Sequence, residues 1–182
     1  MNHRVLEPGE RGGIRCPHCK KRVSKDTRDI LNMMIPVRCS CGDRFSIYEA
    51  DIPVLRRCTD LLTDTSKIFT RRWYHGTSLD DWHNGVLLAR RVPLVHIGTR
   101  YAALERGKSL SRLFLYTIKV DAGATVHPKI FPDYNDLDGA VDAHWYDGYD
   151  AIRYINRWES PGSISLLINP NLITVLDKTA LV

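Results

Sequence analysis

Gly148-Tyr149-Asp150-Ala151-Ile152-Arg153-Tyr154-Ile155-Asn156-Arg157-Trp158-Glu159-Ser160-Pro161-Gly162-Ser163-Ile164-Ser165 sets two apolar runs on either side of a polar turn. Tyr149 to Ile155 is rich in aromatic and β-branched residues and reads as a strand, Pro161-Gly162 is a turn signal, and Ile164 to Ile168 is an apolar run of strand length. Two strands thus flank an Asn-x-x-Glu segment. Working outward, strands are expected at Trp73-Tyr74-His75, Val95-His96-Ile97, Phe114 to Val120 and Leu172 to Leu176, with helical segments at about 79–86, 100–108 and 133–144. Ser78, followed by Asp80 and Asp81, suits the cap of the first helix. Many short strands with few long helices predict an α+β domain built around a strongly bent or split sheet.

Ahead of that domain, residues 51–68 place Val54, Leu55, Cys58, Leu61 and Leu62 at helical spacing, with Pro53 at a first-turn position, so a linker helix is expected over 51–69. Cys58 sits inside this periodic stretch and reads as a small buried hydrophobe. The other cysteines form two close pairs, Cys16-Pro-His-Cys19 and Cys39-Ser-Cys41, separated by nineteen residues. A redox motif needs only one pair, whereas two thiolate pairs on tight knuckles present four sulfurs to one tetrahedral ion. Gly42 follows the second pair, where a knuckle often requires positive φ. The arrangement resembles a zinc ribbon with a compressed Cys-x-Cys-Gly second knuckle, which implies a first domain over residues 1–50 and structural zinc on Cys16, Cys19, Cys39 and Cys41. A closed four-thiolate shell leaves no position for water, so the metal would hold the fold and do no chemistry. Two disulfides are the alternative, disfavoured because nothing suggests secretion. His18 reads as a knuckle residue, since four thiolates already suffice.

Composition narrows the class. With 43% hydrophobic and 26% charged residues, a chain of 182 residues is ordinary globular material for one domain or two small ones. No apolar run approaches the ~20 residues of a membrane span. Met1 to Arg15 lacks an apolar h-region, so a cytoplasmic protein without membrane contact is expected. Net charge is +5, yet residues 1–50 carry ten Lys/Arg against six Asp/Glu while residues 51–182 carry sixteen against fifteen. Lys20, Lys21, Arg22, Lys25 and Arg28 fall together in the ribbon and form either a phosphate-contacting face for nucleic acid or a solvated loop. The acidic series Asp133, Asp136, Asp138, Asp142, Asp147 and Asp150 reads as a solvated helix and loops.

Three segments carry the chemistry. Trp73-Tyr74-His75-Gly76-Thr77-Ser78 is a strand ending in His-Gly-Thr, and Val95 to Leu104 is a strand passing through Gly98-Thr99 into a helix. The third is the Tyr154-x-Asn156-x-x-Glu159 stretch, followed by a strand and Asn169-Pro170. In this order they resemble the ADP-ribosyltransferase fold, and within it the small bacterial and phage members with a His in the first motif and a Glu in the third. The resemblance covers residues 70–177 and implies a domain over 70–182 with a split mixed β-sheet and short helices. It also implies an enzyme that cleaves NAD at the nicotinamide–ribose bond and passes ADP-ribose to a macromolecular acceptor, a protein before a nucleic acid. Such small enzymes are typically effectors, toxins or phage host-takeover factors.

By the same resemblance, Glu159 stabilises an oxocarbenium-like ribose and hydrogen-bonds a ribose hydroxyl. His75 would bind the adenosine-side ribose, and Gly76 would let the backbone approach the nicotinamide amide. Gly98 and Thr99 would shape the cleft floor, Tyr101 would stack on nicotinamide, and Thr77, His96 and Asn156 complete the NAD-binding set. Arg157 and Trp158, at the end of the segment from Arg153, would contact the acceptor.

Three rival readings stand beside this one. The same carboxylate would serve NAD hydrolysis, with water as acceptor. Tyr74 to Ser78, with Arg91 and Val95-His96, also looks like RNA 2′-phosphotransferase, which needs arginines around a phosphate and no third-motif glutamate; Glu159 would repel that phosphate. From a different class, a zinc-ribbon nucleic-acid-binding protein with an inactive second domain would favour loss of Glu159 or His75, and both are present.

Overall fold

The computed structural model describes residues 13–82, 94–132 and 148–181. In the amino-terminal part, Ile14, Leu31, Val37, Phe45, Ile47 and Ile52 are buried against one another and build a small core of their own. Its elements are helix α1 (Lys25–Asn32) and the short strands β1 (Val37–Arg38) and β2 (Arg44–Phe45), paired antiparallel with Val37 opposite Phe45. Helix α1 lies in the basic stretch, where the sequence predicts no helix. Ser24 starts it by accepting the Thr27 N–H at 3.1 Å, and only Leu31 is buried, so it carries too little apolar periodicity to be read.

The single helix expected over 51–69 is broken into three pieces: a 3₁₀ turn at Arg56–Cys58, α2 (Asp60–Thr63) and α3 (Ser66–Thr70). Asp64 is the cause. One of its carboxylate oxygens accepts from the Ser66 N–H at 2.9 Å and the Ser66 hydroxyl at 2.5 Å, a local cap that competes with helix continuation. The apolar periodicity is genuine nonetheless, because Cys58, Leu61 and Ile68 are all fully buried in the main core.

That core lies under two sheets. One has the order β3 (Trp73–Thr77), β5 (Leu113–Val120), β9 (Ile173–Leu181), all antiparallel. The other runs β4 (Val95–Ile97), β8 (Ile164–Ile168), β7 (Ala151–Ile155), β6 (Val126–Phe131), antiparallel except for the parallel β6–β7 pair. Every residue of β8 is buried, as its unbroken apolar run suggests for a central strand. The architecture is a mixed α+β fold, mostly sheet with few short helices. Strand β6 escapes sequence reading because Pro128 interrupts it; it is tolerated because β6 is an edge strand with a register shift between Val126 and Ile130.

Helix α4 (Arg100–Gly107) stands where a helix is expected, capped by Thr99, whose hydroxyl accepts the Ala102 N–H at 3.2 Å. Of the helix expected at 79–86, residues 79–82 form a turn instead, so Ser78 caps no helix there, and the rest lies outside the described residues, as do the helix expected at 133–144, Arg91 and the acidic residues Asp133 to Asp147. No helix among the described residues is long and apolar enough to cross a membrane.

Helix α4 packs directly on β3 at Gly76. A Cβ there would overlap the carbonyl oxygen of Ala103, a backbone atom that cannot step aside. Gly76→Ala should therefore lower stability by about 1–3 kcal/mol through overpacking. A denaturant midpoint that falls at unchanged slope is the expected measurement.

Candidate functional site

The two sheets meet at a backbone bridge between Tyr74 of β3 and Gly98, the residue after β4. Tyr74 N–H donates to the Gly98 carbonyl at 2.9 Å, and Gly98 N–H donates back to Tyr74 at 3.0 Å. A cleft opens at this seam, lined by His75 and Gly76 from β3, His96 and Gly98 from the second motif, Arg106 from α4, and Tyr154, Asn156, Glu159 and Ser165 from the third. The three segments singled out in the sequence thus converge on one place.

Glu159 is fixed at both carboxylate oxygens. Oε1 accepts from Arg106 Nε at 2.9 Å and Oε2 accepts from Asn156 Nδ2 at 2.8 Å. Asn156 in turn organises the loop: its Oδ1 accepts the N–H groups of Trp158 at 3.0 Å and Ser160 at 3.1 Å. Its backbone N–H donates to Ser163 at 2.8 Å and its carbonyl accepts from Gly162 at 2.9 Å. A residue expected to touch NAD therefore acts first as the scaffold of the Glu159 loop, buried to 3% exposure. No protein-family model matches this chain, and no curated protein or solved structure matches it either.

The histidines are held neutral. His75 Nδ1 lies 2.7 Å from the His96 carbonyl, which can only accept, so the proton sits on Nδ1 and Nε2 is left as an acceptor. The ring stacks on Trp82 at 4.4 Å and 13°. His96 Nδ1 is 3.0 Å from the Tyr154 hydroxyl. Burial pushes His75 down to about 4 despite the His96 carbonyl, and burial with the nearby Arg106 charge pushes His96 down to about 4.

Unfolded, both imidazoles titrate near 6.5, so from pH 6.5 down to about 4 the unfolded chain binds more protons than the folded one. Their stability contribution is complete above pH 6.5 and is lost as pH falls through that window. With both rings contributing, thermal unfolding followed against pH should show a loss of up to about 2.7 kcal/mol per pH unit. His75→Gln should flatten that slope; an unchanged slope would remove His75 from the account.

Several expected site residues serve elsewhere. Thr77, Thr99, Tyr101, Arg157 and Trp158 are not among the described residues lining the cleft. Thr77 accepts the Leu79 N–H at 3.2 Å, and Thr99 is the cap of α4. Arg157 and Trp158 turn towards the amino-terminal unit. Arg157 Nη1 donates to the carbonyls of Ile47 at 3.1 Å and Ala50 at 3.2 Å, and Trp158 packs on that unit's core and edge-on against Tyr48. Arg153 is buried, donating to the carbonyls of Leu61 and Pro128, both at 2.6 Å. Arg106 was missing from the expected set, although its spacing from Ala102 and Ala103 puts it on one face of the expected helix.

The four paired cysteines lie together, with all sulfurs within 4.8 Å of one another, and can hold a metal ion. Tetrahedral zinc with bonds of ~2.3 Å sets sulfurs about 3.8 Å apart. Cys16 and Cys41 are 3.8 Å apart, and Cys19 and Cys39 3.5 Å. Both knuckles have the turn such a site needs: Lys20 N–H donates to Cys16 with φ +60, and Gly42 N–H donates to Cys39 with φ +100. The Cys41 N–H, with its thiol neighbours, holds Cys39 down at about 6. Asp43 N–H lowers Cys41, but desolvation and the neighbouring Cys39 outweigh it and push that thiol up to about 12. The sulfur separations are ligand spacing, well beyond the ~2.05 Å of a disulfide bond. His18 stands outside the cluster, 3.9 Å from Asp43.

Proposed function

We propose that this chain is a mono-ADP-ribosyltransferase whose reaction centre is the cleft holding His75 and Glu159, with a structural zinc ion on the four cysteines. The observation that carries it is the Glu159 carboxylate, tied at both oxygens on a hydrogen-bonded loop, in one cleft with a histidine kept as an acceptor. The sheet split at Tyr74 and Gly98 is in keeping with the same resemblance.

NAD is the substrate. Breaking the nicotinamide–ribose bond sends its electron pair to the nicotinamide nitrogen and leaves an oxocarbenium-like ribose. The carboxylate of Glu159 stabilises that charge, and an acceptor nucleophile closes the new bond to the anomeric carbon and gives up its proton. The free Nε2 of His75 accepts from a ribose hydroxyl. With Arg106 on Glu159 the cleft holds only about 20 Å³, so the ribose enters when that guanidinium swings away. The Arg106 side chain is 38% exposed and has solvent to swing into. The pair also cancels surplus positive charge in the cleft, which favours this chemistry over removal of a 2′-phosphate.

The test is incubation of the protein with a bacterial lysate and NAD labelled in its adenylate half. Nicotinamide release with label passing into macromolecules is expected, and protease or nuclease sensitivity then names the acceptor class. Release without transferred label would point to hydrolysis, and neither product would sink the proposal.

A further inference from the structure

Beyond the Tyr74–Gly98 bridge lies a second, larger cleft of about 200 Å³, against about 20 Å³ for the first. The residues common to both linings are Tyr74 and Gly98, the pair joined by two backbone hydrogen bonds. The two clefts therefore adjoin at this bridge.

Four arginines line this second cleft: Arg57 from the 3₁₀ turn, Arg71 and Arg72 from the link between α3 and β3, and Arg100 from the first turn of α4. Among the described residues no carboxylate lines it. Like charges around one space repel, and a fold keeps them there most readily when an anion joins them. Arg71 is offset, its Nη2 lying 3.0 Å from both carboxylate oxygens of Asp60 and 2.9 Å from the Arg57 carbonyl. Arg72 and Arg100 are exposed and, among the described residues, form no ion pair. Arg100 also sits at the amino end of α4, where the helix adds partial positive charge. Guanidinium forks match phosphate oxygens in pairs.

We propose that this arginine cleft binds the phosphate backbone of a nucleic-acid strand. A polyanion suits it better than a single phosphorylated side chain, because the guanidiniums come from three separate segments and the whole chain is +5. It is also a better phosphate contact than the ribbon face expected from sequence. In the ribbon, Lys20 lies 3.6 Å from Asp51, Lys25 lies 4.0 Å from Asp29, and Arg28 lies 3.8 Å from Asp29. Strand binding stands without ADP-ribosyl transfer; only the further step, that the strand is the acceptor, rests on the proposed function.

Fluorescence anisotropy of the full chain with a labelled single-stranded oligonucleotide, titrated with salt, tests the site. The wild type should bind with a salt-dependent affinity. Arg72→Ala with Arg100→Ala should reduce the slope of log K against log salt by about 1.4, two contacts at ~0.7 each. The same double variant should keep the wild-type melting temperature and rate of nicotinamide release. Glu159→Gln should bind the oligonucleotide like the wild type, so that failure of NAD chemistry and failure of strand binding are separate results. No binding by the wild type, or an unchanged slope in the double variant, overturns the proposal. Binding of a phosphoserine peptide but not of the oligonucleotide would overturn it too, in favour of a phosphoprotein.

Discussion

Glu159→Gln should cut nicotinamide release roughly 10²–10³-fold, about 2.7–4 kcal/mol of transition-state stabilisation, the range for removing one preorganised electrostatic group. The amide keeps the shape of the side chain and removes its charge, so the oxocarbenium-like ribose loses its counter-charge while the loop keeps its packing. Folding is affected far less. Arg106 Nε and Asn156 Nδ2 each donate to one carboxylate oxygen, and glutamine has only one oxygen to offer. Asn156 cannot turn its own amide round to help, because its Oδ1 already takes the N–H groups of Trp158 and Ser160. One donor is left unanswered, a cost of about 1–2 kcal/mol. The melting temperature should fall modestly and the far-UV spectrum should stay the same. Glu159→Asp, which keeps the charge on a shorter arm, should retain part of the activity. A folded Glu159→Gln variant releasing nicotinamide at the wild-type rate would end the assignment.

What could be read from the chain is what is local in the chain. The four cysteines announce themselves because ligand spacing on a knuckle is a matter of a few residues, and the structure brings their sulfurs together. His75 and Glu159 were marked by the short motifs around them, and both line the same cleft. Arg106 was not, because its relation to Glu159 spans 53 residues and exists only once α4 lies on β3. Arg157 and Trp158 show the opposite case. They neighbour Glu159 in sequence, but the loop turns them away from the cleft, and adjacency along an irregular segment says little about direction. The linker helix fails at its start because Asp51 pairs with Arg15 far back in the chain, and in its middle because the Asp64 cap outcompetes the apolar periodicity. Strand β6 is hidden by Pro128, and its place at the sheet edge follows from tertiary pairing alone.

Stripping the metal from the four cysteines should lower nicotinamide release by roughly 10²-fold or more, although none of those cysteines lines the cleft. The connection runs through the loop that carries Glu159. Arg157 holds the carbonyls of Ile47 and Ala50, Trp158 packs on the amino-terminal core, and Leu55 N–H donates to the Gly162 carbonyl at 2.7 Å. At Gly162 the fit is so close that a Cβ would overlap the Pro53 carbonyl oxygen. Residues 156–163 are thus clamped by residues 47–55. The clamp is only as firm as the unit it belongs to, and that unit has eight buried core residues, too few to fold without a staple. A structural zinc ion contributes on the order of 10–16 kcal/mol in small zinc-binding peptides. Without it the amino-terminal unit unfolds, Arg157 and Trp158 lose their partners, and Glu159 drifts. A displacement of ~1 Å at a reacting centre can cost about 10²-fold in rate. Dialysis against a chelator should therefore lower nicotinamide release in step with measured zinc content, and zinc should restore it. Cys39→Ser with Cys41→Ser should behave like the stripped protein. Arg157→Ala separates the clamp from the metal: it should keep its zinc and still lose part of the rate. Full activity in zinc-free protein would show that the Glu159 loop stands without a metal-held amino-terminal unit.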